Sequence, residues 1–142
     1  MALPIVLFLI SLYFWDSALV LPIKYLTVFF HELSHGLAAV ITGGSIVRIE
    51  VNANLGGVCW TAGGIRFIVI SAGYLGSLFW GCLILLGAVK TRYDQQITAG
   101  LGFLLLTVTA IWVRNLEGVI ICSVTGFGLL ALASYANEKI CD

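Results

Sequence analysis

VFFHELSHGLAA, residues 28–39, sets two imidazoles and a carboxylate into an otherwise apolar run, and the reading of this stretch decides the fold. On a helix, positions i and i+4 lie one above the other. His31 and His35 therefore project from one face and offer two nitrogens to a single tetrahedral metal, zinc above all. Glu32 lies beside them, where a carboxylate can take a proton from water as that water attacks a carbonyl. The competing reading is a pair of imidazoles hydrogen-bonded to neighbouring helices, with an unrelated interfacial Glu. Ionisable groups inside a membrane span cost about 2.5–3.5 kcal/mol each on insertion scales, so clustering them without a metal or a partner is hard to justify. These are also the only two histidines in the chain.

Around this stretch the sequence is that of a membrane protein. Of 142 residues, 61% are hydrophobic and 10% charged, with a mean hydropathy of +1.08, well above the apolar usage of soluble domains. Apolar runs at 2–15, 23–42, 65–89, 97–113 and 119–136 predict an all-α membrane protein of about five transmembrane helices in one domain, residues 1–142, an integral multi-pass chain. The first run lacks a basic leader and a small-residue cleavage site, so it reads as a retained span. A net charge of zero, with no basic run, excludes nucleic acid as a partner and leaves the lipid bilayer. Cys59, Cys82, Cys122 and Cys141 stand apart, without C-x-x-C spacing, and read as structural.

The motif helix starts near Pro22 and ends at Gly43-Gly44. Lys24, Thr27, His31, Ser34, His35 and Thr42 fall on roughly one face, which should look into protein or water. Beyond it Ile46, Arg48, Glu50 and Asn52 alternate with Val47, Ile49 and Val51, and Asn54-Leu55-Gly56-Gly57 supplies turn chemistry. A small β-hairpin follows, with Val58 to Thr61 as its second arm. It is either a connector or a substrate-holding edge, with Val47, Ile49, Val51 and Asn52 as the binding strand. In the next span Gly73, Ser77 and Gly81 recur every fourth residue, the spacing that lets helix backbones approach closely.

Two histidines leave zinc short of a protein ligand. Asp16, Glu50, Asp94, Asn115 and Glu117 are the candidates. Asp94 sits with Lys90 and Arg92 in a solvent loop, and Asp16 and Glu50 fit interfacial positions. Glu117 lies between two minimal apolar runs, either as a ligand, with Asn115 as fallback, or as an i, i+3 ion-pair partner of Arg114.

VFFHELSHGLAA, Thr42-Gly43-Gly44 with the hairpin, SAGYLGSLFWG at 71–81 and Arg114-Asn115-Leu116-Glu117-Gly118 together resemble the site-2 proteases, intramembrane zinc metalloproteases, in their short branch. The resemblance covers about residues 22–118. It implies hydrolysis of peptide bonds within or near a transmembrane segment of a membrane-protein substrate, with His31 and His35 as zinc ligands and Glu32 as general base. It also implies Glu117 as third ligand, since Glu117-Gly118 stands where better-known members carry Asp-Gly. Where many members have Ala-Gly-Pro, this chain has Ala72-Gly73-Tyr74. The alternative is a catalytically silent relative acting as a binding or regulatory partner. A third reading, an ion or proton conductor, is opposed by the concentration of polar groups in one helix.

Overall fold

Apolar runs interrupted by Pro22, by Gly43-Gly44 and by Arg114-Asn115 fold into five helices and one hairpin. The computed structural model describes residues 2–15, 17–90 and 93–138; Asp16, Arg92 and Cys141 lie outside them. Helix α1 covers Ala2–Tyr13, and a 3-10 turn at Ala18–Val20 leads into α2, Leu21–Ile41. Strands β1, Ser45–Val51, and β2, Gly57–Ala62, precede α3, Arg66–Lys90, α4, Asp94–Trp112, and α5, Leu116–Glu138.

Five helices form where five spans are expected, but among the described residues three of them, α3, α4 and α5, are long and apolar enough to cross a membrane. Helix α1 has 12 residues, which at 1.5 Å per residue reach about 18 Å, short of the ~30 Å hydrocarbon core. Helix α2 has the length, 21 residues, but Lys24, Glu32 and the two histidines dilute its apolar character. Along α3 the large apolar side chains, Phe67, Leu75 and Leu78 among them, face outward, as a lipid-facing helix requires.

The core lies where α2 meets the hairpin and the last two helices. Phe29, Phe30 and Leu33 of α2 pack with Ile49 and Val51 of β1, Leu105 and Val108 of α4, and Cys122 of α5. β1 and β2 pair antiparallel, as the alternation predicts, with Ile49 opposite Cys59 and Val51 opposite Gly57. The turn between them is closed by the Gly56 N–H donating to Asn54 Oδ1 at 2.9 Å.

Two elements fix the hairpin from outside. The segment before α5 takes the far edge of β1: Val113 bridges Ile49, and the Arg114 N–H donates to the Ile49 carbonyl at 3.2 Å. Asn115 then serves both backbone groups of Val51, its Oδ1 accepting from the N–H at 3.1 Å and its Nδ2 donating to the carbonyl at 2.7 Å. At the tip, Glu117 Oε2 accepts from the Ala53 N–H at 2.8 Å while Tyr25 of α2 donates to the Ala53 carbonyl at 3.0 Å.

Helices α2 and α3 touch backbone to side chain, but not through the whole four-residue stripe of the sequence. A side-chain carbon on Gly73 would strike both motif histidines, and one on Gly76 would strike Ser34. Gly81, by contrast, faces open space. The register that matters is Gly73 and Gly76, because these two oppose the polar stripe of α2.

Asn115→Ala leaves the N–H and C=O of Val51 without partners beside a fully buried side chain, and is expected to cost about 2 kcal/mol of stability. Denaturant unfolding in detergent micelles measures it. Stability equal to the parent's would remove the clamp assignment.

Candidate metal centre and its cavity

The helix does what the i, i+4 spacing predicts. The His31 and His35 rings lie 4.8 Å apart, centroid to centroid, at 78°. Both Nε2 atoms come close to the position a Cβ on Gly73 would take, so the absent side chain lets the two imidazole nitrogens converge on one spot of α3. His35 Nδ1 lies 2.6 Å from the Val69 carbonyl. A carbonyl only accepts, so this bond places the proton on Nδ1 and frees the Nε2 lone pair. His31 is packed edge-on against the Tyr74 ring at 4.8 Å. Converging nitrogens and an enforced tautomer fit a divalent metal of zinc's type.

Glu32 is only 6% exposed. Its carboxylate lies against Gly57, where a Cβ would come within 2.6 Å of Oε1, and the Cys59 backbone N–H faces it. Burial, and then the neighbouring Glu32 charge, push the Cys59 thiol up to about 12, so at neutral pH it remains a protonated thiol packed toward Gly36.

The three motif side chains open on a cavity of about 630 Å³, walled by β2 from Gly57 to Thr61 and by Arg66, Val69 and Ile70 of α3. A second cavity, about 270 Å³, shares His31, Glu32 and Gly57 with the first and is walled further by Thr27, Leu55 and Tyr74.

Several expected residues lie elsewhere. Among the described residues no third His, Cys, Asp or Glu gathers with the histidines. Glu117, expected as ligand or as partner of Arg114, instead holds the Ala53 amide, and Asn115 is committed to β1. The Arg114 guanidinium donates to the carbonyls of Ala110, Ile111 and Val113, closing the end of α4. Glu50 pairs with Arg48 at 2.9 Å, and Asp94 is exposed at the start of α4.

The strand expected to hold substrate, β1, is closed along its outer edge. Ile49 and Val51 are fully buried, and their outward backbone groups are taken by Arg114 and Asn115. Asn52 accepts from Asn115 Nδ2 at 3.2 Å; Val47 is exposed. Because the backbone groups of Ile49 and Val51 turn away from β2, those of their partners Cys59 and Gly57 turn away from β1. That opposite direction is the cavity. At these positions the edge facing the cavity belongs to β2, where the Cys59 N–H is hydrogen-bonded to the Glu32 carboxylate.

Sequence reasoning missed Gly57, Gly73 and Arg66 as parts of this site. Gly73 stood in the small-residue stripe and read as packing, which it also is. For Gly57 and Arg66 no local pattern distinguishes a cavity wall from a turn or an interfacial cation.

Compared with known proteins, the chain matches a family model described as Peptidase M50B-like over residues 4–142. No curated protein and no solved structure matches it.

The purified parent is expected to carry about one zinc per chain, and Gly73→Ala to lose most of it, because the added methyl occupies the space that both Nε2 atoms share. Gly81→Ala, placed in open space on the same helix, should keep it. Metal analysis after detergent purification decides, and zinc retained in Gly73→Ala would put the metal elsewhere.

Proposed function

This chain belongs to the Peptidase M50B-like family, and from that membership we propose that it is an intramembrane zinc endopeptidase hydrolysing peptide bonds within or near transmembrane segments of other membrane proteins. The family and three span-forming helices make it an integral multi-pass membrane protein with a protease's ancestry. The observation that carries the reading further is the convergence of His31 and His35 Nε2 over Gly73 with buried Glu32 beside them.

His31 and His35 would hold the zinc through Nε2. When bound, zinc supplies Lewis acidity that polarises a carbonyl and lowers the pKa of water. Glu32 takes the proton from the attacking water and returns it to the leaving amide nitrogen, the general base and then general acid of the reaction. The Val69 carbonyl keeps His35 in the tautomer that leaves Nε2 unprotonated. A transmembrane helix cannot present its amides while they are hydrogen-bonded to one another. The cavity-facing edge of β2 offers an alternative partner: an unwound segment pairing with Gly57 and with the Cys59 carbonyl, whose N–H is held by Glu32, would lie extended across that carboxylate.

A second reading, a binding or regulatory protein without hydrolytic activity, is favoured by one observation, the lack of a third gathered ligand among the described residues. Glu32 separates the two. Glu32→Gln is expected to keep zinc and fold but to lose cleavage of single-span substrates in reconstituted lipid by at least about 100-fold. A parent as inert as the variant, with partner binding intact, would establish the binding protein; cleavage by Glu32→Gln at the parent's rate would remove the mechanism.

A further inference from the structure

The larger cavity is asymmetric in charge. At one end stand His31, Glu32 and His35; toward the other, past Thr61 and Gly63, stands Arg66, of all the lining residues the one with a permanent positive charge. Arg66 is exposed, and among the described residues it forms no ion pair. The other basic side chains near the hairpin are engaged: Arg48 by Glu50 and the Trp60 ring, Arg114 by the carbonyls that end α4. The wall between Arg66 and the histidines is apolar, made of Val69 and Ile70 on the helix that carries all three. The outer edge of β2 lines the same cavity from Gly57 and Cys59 beside Glu32 to Thr61, on the way to Arg66.

A peptide paired to that edge has a fixed pitch. At about 3.3 Å per residue, Thr61 and the strand's last residue, Ala62, stand roughly two and three residues beyond the Cys59 amide that faces Glu32, and Arg66 lies beyond that end. A side chain of the bound segment that points into the cavity over this interval meets the guanidinium with no competing carboxylate beside it. Such a guanidinium selects a carboxylate, which it can grip with two parallel N–H bonds.

We propose that Arg66 is a specificity-determining residue, which selects substrates carrying Asp or Glu about two to four residues from the scissile bond. The inference rests on the protease reading and deepens it. It assigns the cavity's two ends different tasks: the histidine end acts on the peptide bond, and the Arg66 end chooses which bond is presented.

The test uses the full chain in phosphatidylcholine vesicles with single-span substrates bearing Asp, Ala or Lys at successive positions on either side of the cleaved bond. The parent is expected to favour Asp over Ala by roughly tenfold in kcat/KM, the scale of a charge-assisted hydrogen bond, with the difference in KM. Arg66→Gln should erase the preference and Arg66→Glu should reverse it toward Lys. The same ranking in parent and both variants, or an equal loss on all three substrates, overturns the proposal. Binding of fluorescent peptides of the same series in the Glu32→Gln background reads the preference without cleavage. If nothing is cleaved but the Asp peptide binds more tightly and Arg66→Glu reverses this, the Arg66 assignment holds and the protease reading fails. Cleavage without charge preference does the opposite. A preference that vanishes when phosphatidylglycerol is added would assign Arg66 to a lipid phosphate, and overturn it as well.

Discussion

The close approach of α3 to α2 is the constraint on which the site depends. Three polar groups of α2 rest on α3: Ser34 over Gly76, and His31 and His35 over Gly73. Each needs the absence of a side chain beneath it. The same approach brings the Val69 carbonyl within 2.6 Å of His35 Nδ1, which fixes the tautomer, and the Tyr74 ring against His31, which fixes the second imidazole. A methyl group at Gly73 would separate the helices or displace both nitrogens. Packing and chemistry are thus one constraint, and neither can be altered alone.

The hairpin depends on that arrangement from the other side. Its inward face, Ile49 and Val51, is buried in the apolar core. Its far edge is satisfied by residues 113–115 and its tip by Tyr25 and Glu117. A sheet edge left open in lipid would carry unpaired amides at several kcal/mol each, so the clamp on β1 closes one edge. The other edge meets the cavity, where the Cys59 N–H is taken by the Glu32 carboxylate.

Much of this was legible in the sequence, and the exceptions have physical causes. The convergence of His31 and His35 was readable because i, i+4 geometry is local; the hairpin was readable because alternation and turn residues are local too. The far motif was not. Glu117 and Asn115 are polar residues in an apolar neighbourhood, a pattern that announces a partner without saying which one. The partner is a strand 64 residues earlier in the chain, and only the fold brings it there. That the outer edge of β1 is covered was hidden for the same reason: alternation identifies a strand, whereas which of its edges is covered depends on what packs against it. Five apolar runs gave five helices, but length and hydropathy leave three able to cross by themselves, since α2 spends its polar positions on the site.

The proposed hydrolysis requires that water reach the motif without opening the bilayer. His31, Glu32 and Gly57 line both cavities, of about 630 and 270 Å³. A Cβ on Gly57 would press on the Glu32 carboxylate, so the carboxylate meets both spaces only because this strand residue has no side chain. Under the proposed function, a segment lying along β2 would have one arm toward Arg66 and the other toward Thr27 and Tyr74. The ionisable groups that make the motif helix a poor membrane span are the groups that line both cavities, so the polar positions of α2 and the spaces that water can reach coincide.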